Sequence, residues 1–174
     1  KQAELIPEVW RRVCERLPDW QLDVVGDGPD RDEIERQVTK SALTRVNFYG
    51  RQVPDDYYRR AGIFFMTSAF EGFPNTLVEA QSHAAIPVIF DSYPVASWIV
   101  ADGKSGFLIK PFNVQAMADR IVELASHPEL KGFAEQSLES ARRFHIDRVG
   151  QKWQELFEAE LPKHFARHEA ERTG

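Results

Sequence analysis

Five short apolar runs, at residues 22–25, 45–49, 63–66, 87–90 and 107–109, alternate along the chain with stretches of helical periodicity. The runs are predominantly apolar, the last three without interruption, so each reads as a strand buried on both faces. Gly, Pro and Asp punctuate their ends, most visibly in Gly26-Asp27-Gly28-Pro29 and at Gly50. Buried strands joined through helices pair in parallel, because a parallel connection needs a crossover long enough to hold a helix. Right-handed crossovers then give an α/β fold, a Rossmann-like doubly wound parallel sheet with helices on both faces. Such sheets bind ligands beyond the carboxyl ends of their strands.

The intervening helices carry their own signals. Residues 2–17 place Leu5, Ile6, Val9, Trp10, Val13 and Leu17 at spacings of three and four. Asp30, with Glu33 three positions on, reads as a capping box opening a helix to residue 41. Pro54-Asp55-Asp56 opens a short helix through Arg60, and further helices are expected at 75–85 and 95–101. Pro87 is expected at the first position of its strand, where a missing N–H is tolerated. Beyond residue 112 the spacing predicts helices only. One covers 113–126, with Ala116, Ile121, Leu124 and Ala125 inside; a second runs from Pro128 to residue 144. A third, capped by Asp147, puts Val149, Trp153, Leu156 and Phe157 on one face. Pro162 is expected to end or kink it, and residues 163–174 to fray. The chain thus divides into a domain of residues 1–145 and a C-terminal helix and tail, 146–174.

Composition narrows the function classes. A formal net charge of -5 argues against a nucleic-acid footprint. A single cysteine, Cys14, leaves no intrachain disulfide, makes a Cys-based metal site improbable and reads as core filler. No apolar run approaches the length of a membrane span, and no secretory leader pattern opens the sequence, so a cytoplasmic setting is expected.

The chemistry concentrates in Glu71-Gly72-Phe73-Pro74-Asn75-Thr76-Leu77-Val78-Glu79-Ala80. It follows the strand at 63–66. A tight loop presents Glu71, and a helix starts at Asn75 or Thr76 with Glu79 in its first turn. The free N–H groups and positive dipole end of that start suit an anion, and the flanking acids suit hydroxyl groups. A carboxylate can hold a vicinal diol by accepting one proton on each oxygen. No Ser or Cys pairs with a His and Asp in a way that would make a nucleophile.

These residues resemble a known family. Glu71-x7-Glu79, then Pro87-Val88-Ile89, then Asp102-Gly103-x2-Gly106-Phe107-Leu108-Ile109, are similar to the donor-binding half of a GT-B glycosyltransferase. The group is the large retaining one called family 4 or group 1. Val25-Gly26-Asp27-Gly28-Pro29 and Phe48-Tyr49-Gly50 match two further signatures, so the resemblance covers residues 1 to about 157. It implies transfer of a hexosyl group from a nucleotide diphosphate sugar, UDP-sugar favoured, to an acceptor hydroxyl. Anomeric configuration would be retained, with no resident cofactor and no metal. By resemblance Glu79 matches the acid that takes both ribose hydroxyls, and Glu71 the catalytic acid beside the donor sugar. Gly72, Phe73, Pro74, Asn75, Thr76 and Leu77 match the segment whose backbone touches sugar and diphosphate. Gly26 and Gly28 match a loop close to the nucleotide, and Arg51, Gln52 and Val53 the edge that reads the base. Lys1 lines up with the family's phosphate-binding lysine.

The sequence also departs from the family. The Gly-Arg strand that precedes this lysine is absent, as is the N-terminal domain that would bind a glycan or lipid-linked acceptor. That strand belongs between the runs at 22–25 and 63–66, so a longer parent enzyme is expected. By resemblance it builds envelope polysaccharide or glycolipid in the cytoplasm, with peripheral association at the inner face of the membrane as one alternative. Ser97-Trp98 replaces an acid before the Asp102-Gly103 turn, which removes one sugar or phosphate contact. His83-Ala84-Ala85 replaces a small-residue-Gly step and is expected to alter packing only.

Plainer readings stand beside these. Thr76-x-x-Glu79 is also a capping box by spacing. Glu71 could be a solvated loop acid, Arg51 a surface arginine, Lys1 an untethered terminal residue, and Gly26-x-Gly28 an ordinary turn. The pairs Arg59-Arg60 and Arg142-Arg143 read as solvated faces, and His83 as a half-exposed histidine. Two other functions remain open: a nucleotide-sugar-binding module without catalysis, and a GT-B epimerase or phosphorylase.

Overall fold

A computed structural model describes residues 1–173, and the side chains of residues 1–161. The chain forms two compact units, Lys1–Ala141 and Arg142–Gly174. In the first, after a 3-10 turn, the order is α1 (Ile6–Val13), β1 (Leu22–Val25), α2 (Arg31–Lys40), β2 (Val46–Gly50) and α3 (Asp55–Arg60). There follow β3 (Ile63–Met66), α4 (Asn75–Ser82), β4 (Ile86–Phe90), α5 (Val95–Ile99), β5 (Phe107–Ile109), α6 (Val114–Ala125) and α7 (Leu130–Ala141). All strand pairing is parallel, as strands joined through helices require, but the strands form two sheets: β1–β2 and β3–β4–β5. In this pairing β1, β2, β3 and β5 each keep one unpaired edge among the described residues.

One core joins the two sheets. Val9, Trp10 and Val13 of α1 pack with Leu22, with Ile86, Val88 and Phe90 of β4, and with Met117, Ile121 and Leu124 of α6. All five residues of β4 are buried, whereas most of β1 and β3 is half-buried, as befits strands with an open edge. Cys14 is core filler, as its neighbours implied. The inside of α6 was misjudged in part: Met117 and Ala118 are buried, and Ala116 and Ala125 only half so.

Pro87 is the second residue of β4, not the first, yet β4 is the middle strand of its sheet. The ladder to β5 begins only at Val88–Phe107, so Pro87 has no missing bond on that side. Gly106 lies against it: a Cβ there would sit 2.4 Å from the Pro87 ring and 2.7 Å from its carbonyl oxygen. Only glycine admits this approach.

Several helix ends differ from expectation. Helix α1 starts at Ile6 and ends at Val13, four residues short of Leu17. Asp30 is the N-cap of α2 but makes no side-chain cap bond; Glu33 instead accepts from Gln37 and pairs with Arg36. Arg60 is not simply solvated: it pairs with Asp23 at 2.8 Å and stacks over Tyr57. Helix α4 ends at Ser82 rather than at residue 85. The Ala85 N–H donates to the Ala80 carbonyl and the Ala84 N–H to that of Gln81, the two bonds of a Schellman turn. That turn needs a left-handed residue, and Ala84 supplies it at φ 63°. The His83-Ala84-Ala85 step thus changes the backbone as well as the packing, because a Cβ in this region is strained.

In the second unit a 3-10 turn, Arg142–Phe144, precedes α8 (Ile146–Thr173). Asp147 is the second residue of α8 rather than its cap. The helix also runs on past Pro162, so the expected stop there is not seen. The fraying expected of residues 163–174 concerns residues whose side chains lie outside those described. Trp153, Leu156 and Phe157 are exposed on α8. Among the described residues no helix is long and apolar enough to cross a membrane.

Ala84→Gly should stabilise the chain by about 0.5–1 kcal/mol, since relief of the left-handed Cβ outweighs the added freedom of the unfolded chain. Denaturant unfolding measures it, and a loss of stability would mean that the turn carries no strain.

Candidate donor-binding site

The site begins where β3 ends. Thr67 and Ser68 follow the strand directly and are buried, with only 3% and 1% exposure. Gln2 adopts the left-handed conformation at φ 50°, and its carbonyl accepts from Thr67 Oγ1 at 2.9 Å. This ties the first residues to the carboxyl end of β3. Lys1 Nζ then meets Glu71 Oε1 at 2.5 Å, joining residues 70 positions apart. The same carboxylate oxygen accepts from Ser68 Oγ at 2.7 Å. Ser92, in the loop after β4, donates to the Ser68 carbonyl at 2.7 Å and latches the two strand ends together. The adjacent Tyr93 is 4% exposed, and its hydroxyl has no partner among the described residues.

Burial acts to raise the Glu71 carboxyl, but the hydrogen bonds from Lys1 and Ser68 and the Lys1 charge outweigh it. The net result holds Glu71 below its ordinary value, ionised at neutral pH. Glu71 is thus a mostly covered, paired acid, not a solvated loop residue, and Lys1 is tethered.

Helix α4 starts at Asn75 with Pro74 as its N-cap and no side-chain cap bond. Thr76 and Glu79 are therefore its second and fifth residues. The capping box expected from their spacing is not formed, and no acid lies in the first turn. Glu79 Oε2 instead accepts from Tyr58 Oη of α3 at 3.3 Å. Its Oε1 has no protein donor among the described residues. The backbone donors at the helix start are fewer than the segment suggested. Pro74 has none, Asn75 N–H donates to the Phe73 carbonyl and Leu77 N–H to that of Pro74. The Thr76 N–H remains. Pro74 and Leu77 are buried and anchor the turn, while Gly72, Phe73, Asn75 and Thr76 are exposed.

The remaining residues singled out lie in other loops, each at the carboxyl end of its strand. Gly26 and Gly28 follow β1; Gly26, at φ 135°, donates its N–H to the Gly50 carbonyl at 2.7 Å. Arg51, Gln52 and Val53 follow β2 and are exposed, and Gln52 Nε2 donates to the Tyr49 carbonyl. The structure brings Lys1 together with Glu71, and not with these loops. Thr67, Ser92, Tyr93 and Tyr58 also belong to this region, though no motif in the sequence marks them. Thr67 and Ser92 carried a signal, since each lies just past an expected strand; the tyrosines carried none beyond helical spacing.

The model of the family described as glycosyl transferases group 1 matches residues 1–141. The chain belongs to that family. It is 26% identical over 144 residues to the poly(glycerol-phosphate) alpha-glucosyltransferase of Bacillus subtilis, covering 81% of this chain and 21% of that protein. A crystal structure of Staphylococcus aureus TarM, in complex with Fondaparinux, alpha-GlcNAc-glycerol and UDP, is 26% identical. It superposes with a TM-score of 0.80, covering 90% of this chain and 33% of TarM. The C-terminal domain of LpcC from Francisella tularensis is 23% identical with a TM-score of 0.73, covering 84% of this chain and 80% of that domain. The fold is therefore that of a GT-B C-terminal domain. The chain spans less than half the length of the curated relatives it matches.

The pairing of Glu71 sets a pH dependence. A carboxyl whose value is lowered by folding contributes stability above its unfolded value, about 4.3, and loses it as pH falls through the folded value. Unfolding measured from roughly pH 6 down to 3 should show Glu71→Gln less stable than the parent at the upper end, the gap closing toward the lower. A constant gap would mean that the ion pair is not formed.

Proposed function

We propose that this chain is the donor-binding domain of a retaining glycosyltransferase that moves a hexosyl group from a nucleotide diphosphate sugar, UDP-sugar favoured, to an acceptor hydroxyl. The observation that carries the reading is the meeting of Lys1 and Glu71 at the end of β3, with the start of α4 and then Glu79 following directly. A cation beside a helix start can stabilise the negative charge that develops on a departing diphosphate. Glu71 faces the sugar hydroxyls, and Glu79 takes the ribose diol. In the transfer the bond from anomeric carbon to phosphate oxygen breaks, and one to the acceptor oxygen forms. The proton of the acceptor hydroxyl passes to the leaving diphosphate. No resident cofactor enters this scheme. Two relatives are named for transfer to poly(glycerol-phosphate) and poly(ribitol-phosphate), which supports a glycopolymer or glycolipid acceptor. The open edges of β1 and β3 support a further central strand, and the short span of the relatives an acceptor-binding domain, both from chain outside these residues.

Calorimetry with UDP, GDP and ADP tests the reading. One nucleotide should bind, and Glu79→Ala should weaken it by about 1–3 kcal/mol. Glu71→Ala should spare the nucleotide and impair transfer in the longer enzyme. Absence of binding by all three would overturn the proposal.

A further inference from the structure

Helix α3 supplies one group to the site that no motif announces. Tyr58 is 8% exposed. Its ring packs edge-on to Phe64 at 6.2 Å and lies 5.7 Å from the His83 ring. It also packs with Ala80 and Ala85, the two residues that close the Schellman turn of α4. The ring is therefore held by β3 and by both sides of the end of α4. Its polar tip makes one hydrogen bond, to Glu79 Oε2 at 3.3 Å.

That bond falls on a side chain that otherwise has little to fix it. Glu79 is exposed on α4, with three side-chain torsions and no other bond to its carboxylate among the described residues. Its backbone is held more firmly: Ser82 Oγ donates to the Glu79 carbonyl at 2.7 Å, and His83 Nδ1 lies 2.9 Å from the same oxygen. Burial first, and then the Glu79 charge, push the Tyr58 hydroxyl above its ordinary value, so at neutral pH it is only a donor to the carboxylate. A carboxylate has about four acceptor positions; one bond from Tyr58 leaves room for two hydroxyl donors.

We infer that Tyr58 is the positioning residue that aims the Glu79 carboxylate at a ribose diol, and so sets the preference of the site for ribonucleoside over 2′-deoxyribonucleoside diphosphates. The inference rests on the ribose reading of Glu79 proposed above. A carboxylate held by a bond at Oε2 has its plane fixed, which rewards the ligand that can place one hydroxyl on each oxygen. A freely rotating carboxylate gains less from the second hydroxyl, because each bond must also restrict the side chain.

The test is calorimetry on the full chain with UDP and 2′-deoxy-UDP, and with the corresponding guanosine and adenosine pairs. The pair whose ribose member binds tightest is used. The parent should prefer the ribose form by about fivefold or more. Tyr58→Phe should cut that preference to within about twofold while leaving the 2′-deoxy ligand bound as before. Phe64→Leu, which disturbs the same ring but not the hydroxyl, should keep the preference. Thermal melts of both variants verify folding. Undiminished preference in Tyr58→Phe, equal loss for both ligands, or the same loss in Phe64→Leu would overturn the inference. Glu79→Ala separates it from the reading beneath: an unchanged preference there removes the ribose role itself, whatever Tyr58 does.

Discussion

The fully buried β4 is the constraint on which the rest of the first unit depends. It is the strand with neighbours on both sides in its sheet, and its side chains enter the core shared by α1 and α6. Pro87 within it can be accommodated only because the β5 ladder starts one residue later, and Gly106 can approach only because it has no Cβ. The register places Met66 opposite Ile89, so β3 and β4 end within one residue of each other. Ser68 and Ser92, two positions beyond the ends, are then close enough to bond, and this bond holds the loop that carries Glu71.

A second consequence runs through α4. Its start is fixed by buried Pro74 and Leu77 and its end by the Schellman turn at Ala84. Between these anchors the face carrying Glu79 is set relative to α3, and Tyr58 fills the space between the helices. Fixing both ends of a short helix is what allows an exposed acid to keep a definite direction.

The fold class was legible because strands buried on both faces leave predominantly apolar runs, and five such runs were present at residues that do form strands. The split into two sheets was visible only through the resemblance, since no property of residues 22–25 or 63–66 says which edge stays open. Helix caps were the weakest reading. Asp30-x-x-Glu33 and Thr76-x-x-Glu79 both have capping-box spacing, and neither forms one: Asp30 is the N-cap but makes no cap bond, and Thr76 lies inside its helix, behind Pro74 at the cap. The mutual placement of Glu71 and Lys1 was not legible from spacing either. They stand 70 positions apart, and it takes the Gln2 turn and the buried Thr67 hydroxyl to bring them together.

The two acids of the site are held in opposite electrostatic ways. Glu71 is neutralised by a cation; Glu79 is held by a neutral hydroxyl and keeps its charge uncompensated. On the proposed function this difference matters. A diphosphate brings negative charge next to two carboxylates, and like charges at short range disfavour binding. Lys1 can offset that repulsion only by turning from Glu71 toward the phosphates, or by lying between them. Glu71 is then left with Ser68, and its demand for donors is met by the hydroxyls of the sugar. On that reading the ligand would replace the bond between Lys1 and Glu71 with its own phosphate and hydroxyl contacts, and a chain without the pair would face the same diphosphate with both acids unbalanced.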